Sequence, residues 1–465
     1  MSLHIPFDNS YAKLPDAFFT RLNPTPVKQA DMLAWNAPLA AELGIEGTDP
    51  SVFAGITVPD GATPLAQLYA GHQFGNYNPQ LGDGRAILLG EVIDGHGTRR
   101  DIQLKGSGPT PYSRMGDGRA WLGPVLREYV VSEAMHALGI LTTRALAAVA
   151  TGEPVFREQG ALPGAVLTRV AASHLRVGTF QIFAHRGQTD ALRTLTDYAI
   201  ARHHPDADGP MGLLAAVSAA QAELVAAWMS VGFIHGVMNT DNCTISGETI
   251  DYGPCAFMDA FDEARVFSSI DQMGRYAYGN QPRIAVWNMA QLATALIQLF
   301  DDKDKAVADA TAIVHAMPAQ LQSAWLRRFG AKIGQGNPTP DDQVLIEDLL
   351  TLMQKEGADF TNTFAALSTD TARDQFTARD AFDAWAARWR SGNPDADLMQ
   401  RSNPQIIPRN HRIEAMIEAA VAGDMGPFER LMAALGTPYE LPPEFDDLRR
   451  PPTEAEIVPA TFCGT

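Results

Sequence analysis

Cysteine is scarce: Cys243, Cys255 and Cys463 are the three in 465 residues. That count excludes a disulfide framework and fits a reducing cytoplasm. An excess of positive charge is missing too. Against 36 Lys and Arg stand 54 Asp and Glu, a formal charge of −18, which argues against a nucleic-acid partner or an anionic membrane surface. No uninterrupted apolar run reaches the roughly 18 residues that a membrane-spanning helix needs. The longest candidate, 211–234, is broken by Ser218, Gln221, Glu223 and Ser230 and reads as a buried helix. The opening MSLHIPFDNSYAKLPDAFF has neither a basic nor an apolar leader region, so no secretory signal is expected. What remains, 46% hydrophobic and 19% charged, describes a globular chain long enough for two or three packed units. A cytoplasmic monomer is the expected state.

Residues 1 to about 80 read as short helices and loops, punctuated by Pro24, Pro26, Pro50 and Pro64. YAGHQFGNYNPQLGDG, 69–84, is too rich in Gly and Asn for a regular element and predicts an ordered loop. AILLGEVI and RRDIQLK predict a strand pair around the turn at 94–97. Pro124 opens a helix, PVLREYVVSEAMHALGI, and a second strand pair is expected over 153–170 around Gly160 and Gly164. Helical spacing then dominates, at 190–203, 211–232, 286–301, 305–317, 344–355, 377–390 and 412–435. The tail from Pro438 is rich in proline and acid and reads as an extended strap. The pattern is α+β, with a β-containing half followed by a helical half. It divides into an extension 1–80, a β-containing unit 81–185, a helical unit 186–436 and a tail 437–465.

The most informative stretch is HGVMNTDNCTISGETIDYG, 235–253. Thr244-Ile245 and Thr249-Ile250 predict short strands around a Ser246-Gly247 turn, a hairpin that would bring Asn242 and Asp251 together at its open end. An amide oxygen and a carboxylate are hard ligands suited to Mg²⁺ or Mn²⁺ carrying nucleotide phosphates. Protein kinases hold their metals with an Asn and an Asp in this way, but place a catalytic Asp two residues after the preceding His. Here that position is Val237, which accepts no proton, so Asp241 is the nearby carboxylate that can act as base.

Upstream, Gly82-Asp83-Gly84-Arg85 precedes a strand, where backbone amides and Arg85 can meet phosphate oxygens. Lys105 ends the returning strand, in the place of a kinase's phosphate-holding lysine. Glu128 on the following helix is the natural carboxylate to orient it, with Glu133 as a rival. Asp117-Gly118 lies in a second glycine-rich loop. Arg169 and Arg176 are spaced to converge on a phosphate. His174, between them, reads as a structural hydrogen-bonding residue.

Long stretches carry a more specific signal. FDNSYAKLPDAFF, YAGHQFGNYNPQLGDGRA, QLKGSGPTPYSRMGDGRA, LREYVVSEAMHALGI, RVAASHLRVGTFQ, GFIHGVMNTDNCTISGETIDYGPCAFMD and NPQIIPRNHRIEAMIEAA together resemble the selenoprotein O family of kinase-like protein adenylyltransferases. The resemblance covers nearly the whole chain, and Val237 is part of the family's pattern. It implies a bilobal protein-kinase-like fold with N- and C-terminal extensions. It also implies AMP transfer from ATP to Ser, Thr or Tyr hydroxyls of proteins with release of pyrophosphate, dependent on Mg²⁺ or Mn²⁺. ATP in this family lies flipped, with its α-phosphate toward the acceptor. Carried over by motif, Gly82, Gly84, Arg85, Lys105, Asp117, Gly118, Arg169, Arg176 and Asp251 would bind ATP. Asn242 and Asp251 would hold the metal, Glu128 would pair with Lys105, and Asp241 would take the proton. Cys463, third from the end, stands where some members carry selenocysteine, which raises a redox role. The competing readings are a kinase using the γ-phosphate and a nucleotide-binding pseudokinase without turnover.

Overall fold

The computed structural model describes residues 3–158, 160–369 and 371–462. Three short strands, β1 (Phe19–Arg21), β2 (Asp31–Trp35) and β3 (Leu65–Gln67), come before a small hairpin of β4 (Gly71–Gln73) and β5 (Asn76–Asn78). Longer strands follow: β6 (Ala86–Ile93), β7 (Arg99–Lys105), the short β8 (Ala120–Trp121), β9 (Arg144–Arg157) and β10 (Gly160–Ala171). Their antiparallel sheet runs β1-β3-β6-β7-β10-β9-β2, with β8 paired to β10.

Two expectations are corrected here. Residues 1–80 are not only helices and loops, since β1, β2 and β3 belong to the main sheet. Strands of three to five residues are too short to show a two-residue period. The stretch 69–84 is not loop throughout, because it contains the β4–β5 hairpin. β6 and β7 form as expected. β7 is central, so Lys105 at its end stands opposite Ala86 on β6 and Leu167 on β10.

Helix Leu122–Ala137 has Pro124 in its first turn, where a missing N–H costs nothing. It packs against β9 and β10, and burial on nearly every face takes in Arg127 and Glu128. The later helices follow the expected spacing with shifts at their ends. The one expected at 305–317 runs Lys303–Lys332 through Pro318, and the buried Met317, Leu321 and Ala324 offset the lost backbone bond. That expected at 412–435 divides into Asn410–Val421 and Gly426–Leu435. Val177–His185 and Phe360–Leu367 are further helices, buried almost throughout, whose eight or nine residues are too few to show a helical period. Helix Gly209–Ser230 is long and apolar enough to cross a membrane by composition, and Leu213, Leu214, Val217 and Val225 are fully buried in the protein core.

The hairpin expected at 244–250 is also corrected. The ladder lies one layer out, between β11 (Phe233–Ile234) and β12 (Ala256–Phe257). Inside it, Thr244 bridges to Arg176 and Thr249 to Thr142, so each β-prone piece finds its partner elsewhere. The extended strap expected from Pro438 is corrected in part: short helical turns at Pro443–Arg449 and Glu454–Glu456 interrupt it, and it runs extended at its end, where Thr461 bridges to Ser268.

Candidate active site

The loop enclosed by β11 and β12 carries the carboxylates. Thr240–Asn242 is a single tight helical turn that presents Asp241 and Asn242 side by side. His235 Nε2 bonds to the Ile250 carbonyl at 2.9 Å, tying the start of the loop to the residue before Asp251. Asp251 itself has φ 65°, a left-handed conformation that Asp tolerates better than most residues.

A cavity of about 780 Å³ opens between this loop and the sheet. Gly82, Gly84, Arg85, Lys105, Asp117, Gly118, Arg169, Arg176, Asp241, Asn242 and Asp251 all line it. Every binding residue proposed from sequence within the described chain therefore meets at one place. A second cavity of about 830 Å³ adjoins it at Arg85, Lys105 and Gly253, and Trp121, Val125, Leu162 and Leu167 make it largely apolar. None of Asp241, Asn242 or Asp251 lines it; all three face the first cavity.

Asp251 is the hub of the charged wall. Lys105 Nζ lies 2.9 Å and Arg169 NH1 2.7 Å from its Oδ1, and Arg176 NH2 3.6 Å from Oδ2. Burial opposes its charge, but Lys105, Arg169 and Arg176 together hold the carboxyl well below the usual range. Lys105 also bonds to Glu128 at 2.5 Å. The rival Glu133 instead holds Arg144 and Asn36, which settles the pairing. His174 is fully buried on Asp101, a structural role.

Sequence reasoning missed the residues that aim these cations. Gln103, opposite Arg169 in the ladder, accepts from its guanidinium at 2.7 Å. Buried Asp83 takes bonds from Gln103 and from the Gln67 backbone and lies 3.4 Å from Arg176. Tyr69 stacks beneath Arg176 with 4.3 Å from guanidinium carbon to ring centre. Asp83 stood within a motif already noticed; nothing in the sequence marks Tyr69 or Gln103.

Asp117 bonds to Arg157 at 2.8 Å, and its φ-positive neighbour Gly118 must be glycine because a Cβ there would overlap the Gly108 carbonyl. Asp241 sits in a different setting. Burial pushes its carboxyl up to about 6, against the Gln73 hydrogen bond and the charge of Arg176. Asn242 Nδ2 donates to the Val237 carbonyl at 3.0 Å, which leaves its amide oxygen without a donor among the described residues. Burial lifts the Cys243 and Cys255 thiols to about 12 and about 11, so neither is a reactive thiolate. Cys463 lies outside the described residues.

A half-buried lysine and two buried arginines around one carboxylate, beside a second carboxylate that burial pushes up, are the arrangement of an enzyme that handles phosphoryl groups. The family follows from comparison. The family model of protein adenylyltransferase SelO matches residues 1–436. The chain is 69% identical to the protein nucleotidyltransferase YdiU of Roseobacter denitrificans and 68% to that of Ruegeria sp. (strain TM1040), with 100% of each chain covered. It is 57% identical to the YdiU of Jannaschia sp. (strain CCS1), with 99% of both covered. The chain belongs to the SelO family of protein adenylyltransferases and is a nucleotidyltransferase.

Proposed function

We propose that the protein transfers AMP from ATP to Ser, Thr or Tyr hydroxyls of other proteins and releases pyrophosphate. The observation that carries this reading is the single cavity that joins the Lys105–Arg169–Arg176 cluster to Asp241. In this reading the sheet-bearing residues to about 185 and the helical residues 186–436 are the two lobes of a protein-kinase-like fold, with ATP between them.

The acceptor hydroxyl oxygen attacks the α-phosphorus as its proton passes to the Asp241 carboxylate. The bond from the α-phosphorus to the bridging oxygen breaks, and pyrophosphate departs. Lys105, Arg169, Arg176 and Arg85 stabilise the charge that grows on the bridging and leaving oxygens. Backbone amides at Gly82, Gly84 and Gly118 approach the phosphates closely. Glu128, Gln103 and Asp83 hold the cations in place. Asn242 and Asp251 would hold Mg²⁺ or Mn²⁺, since an unengaged amide oxygen and an ionised carboxylate, completed by phosphate oxygens, are the donors such ions take. An ion held there would supply neutralisation of phosphate charge. The formal charge of −18 speaks against nucleic acid or an anionic membrane surface as a partner, and this reading takes the protein as a cytoplasmic monomer acting on proteins with ATP.

Incubation with divalent ion and ATP labelled at either the α or the γ position tests this. Protein-bound α-label is the expected result. Label from the γ position means a kinase, and bound ATP with neither label means a nucleotide-gated binding protein.

A further inference from the structure

The β4–β5 hairpin docks onto the turn that carries Asp241. His72 N–H donates to Thr240 Oγ1 at 2.7 Å, Gln73 Nε2 to Asp241 Oδ2 at 3.0 Å, and Phe74 N–H to Asn239 Oδ1 at 3.1 Å. Three successive hairpin residues thus bond to the three successive residues 239–241. The hairpin closes through Phe74 and Gly75, both with positive φ, 52° and 84°. That is the pattern of a type I′ turn, which ordinarily takes Asn-Gly. A bulky side chain in that conformation persists only where its surroundings over-determine it. Here Tyr276 does so, with its hydroxyl 3.2 Å from Phe74 N and its ring 5.1 Å from the Phe74 ring.

The docking is close enough to dictate composition. At Gly71 a Cβ would overlap Asp241 Oδ1. That oxygen is buried and has no hydrogen-bond partner among the described residues. Gln73 is then the side chain whose donation sets the carboxylate's orientation. Gln73 and Phe74 also form part of the cavity wall beside Asp241.

We propose that Gln73 is a positioning residue for AMP transfer, holding the Asp241 carboxylate in the orientation that receives the acceptor hydroxyl. The inference rests on the reading of Asp241 as proton acceptor. Gln73 makes no bond to Lys105, Arg169, Arg176 or Asp251, so its loss acts on turnover and not on nucleotide binding.

Full-length Gln73→Met, Asp241→Asn and the double variant test it with α-labelled ATP, alongside melting temperature and nucleotide affinity. Methionine keeps the length of the side chain and removes the donor. Gln73→Met is expected to lower kcat roughly tenfold, a part of the 10²–10⁴-fold that a positioned base contributes. KM for ATP and the melting temperature should stay at wild-type values, and the substitution should add no further loss to Asp241→Asn. An unchanged kcat in Gln73→Met overturns the inference. So does a loss that recurs in full in the Asp241→Asn background, or one that comes with weaker ATP binding or a lower melting temperature. If Asp241→Asn is too slow to measure, the split between kcat and KM decides. Full activity in Asp241→Asn would instead remove the proton acceptor on which the inference stands, a failure separable from that of Gln73.

Discussion

Asp241 and Asp251 line one cavity in opposite surroundings. Asp251 is ringed by Lys105, Arg169 and Arg176, and three cations outweigh the cost of burying it. Asp241 has an amide, Gln73, as its hydrogen-bonding side chain, and burial dominates. One residue type therefore meets two opposite electrostatic environments in one cavity. A carboxylate kept ionised suits a metal ligand and an anchor for the cations around it. One destabilised in its charged form suits the taking of a proton, and such divergent pairs are how acid–base roles separate within an active site.

The largest expected effect comes from breaking the charged side. Asp251→Ala leaves Lys105, Arg169 and Arg176 facing one another without their shared anion. AMP transfer should fall by at least roughly 10³-fold, the several kcal/mol that metal and charge stabilisation supply, and ATP binding should weaken. Label transfer and equilibrium nucleotide binding measure both. Full activity in this variant would refute the metal assignment. Asp241→Asn comes next and sharpens the contrast, because the amide keeps the shape and removes the basic oxygen. A drop in kcat of roughly 10²-fold with ATP affinity preserved is the expected result. Equal losses in kcat and ATP affinity would move Asp241 to the charged side and dissolve the comparison.

The charged side was also the more legible in sequence. Lys105 could be placed because the apolar run of β6 leads through a glycine turn into a returning strand that ends on it. Glu128 and Glu133 stood on the same helix, and only the fold separates the face that meets Lys105 from the one that meets Arg144. The other side was not legible. The β4–β5 hairpin exists through contacts to Thr240, Asn239 and Tyr276, more than 160 positions away in every case. Its Gly- and Asn-rich composition looks the same as that of a loop. The displaced hairpin at 244–250 has the same origin: local β-propensity was real, but its partners, Arg176 and Thr142, lie in other segments. Side chains that hold the cavity's arginines, such as Gln103 on Arg169 and Tyr69 beneath Arg176, carry no local pattern at all.

The smallest expected effect tests whether a raised carboxyl marks function. Glu248 is also buried, and burial pushes it up to about 7 against bonds from Ala172 N–H and Ser246 and the charge of Arg100, with Asp101 adding to the rise. It lines neither cavity. Its folded value exceeds the unfolded one of about 4.3, so its contribution to stability is present below that pH and is lost as pH rises toward 7. Glu248→Gln has no proton to lose. Its melting temperature relative to wild type should therefore climb between about pH 4.5 and 7.5, by the equivalent of up to about 3 kcal/mol, with AMP transfer unchanged. A flat difference would mean that Arg100 neutralises the burial, and a fall in transfer would place Glu248 in the reaction. With the expected outcome, burial, with a small addition from Asp101, suffices to raise a carboxyl that takes no part in the reaction. What separates Asp241 from Glu248 is then access to the cavity lined by Lys105, Arg169 and Arg176.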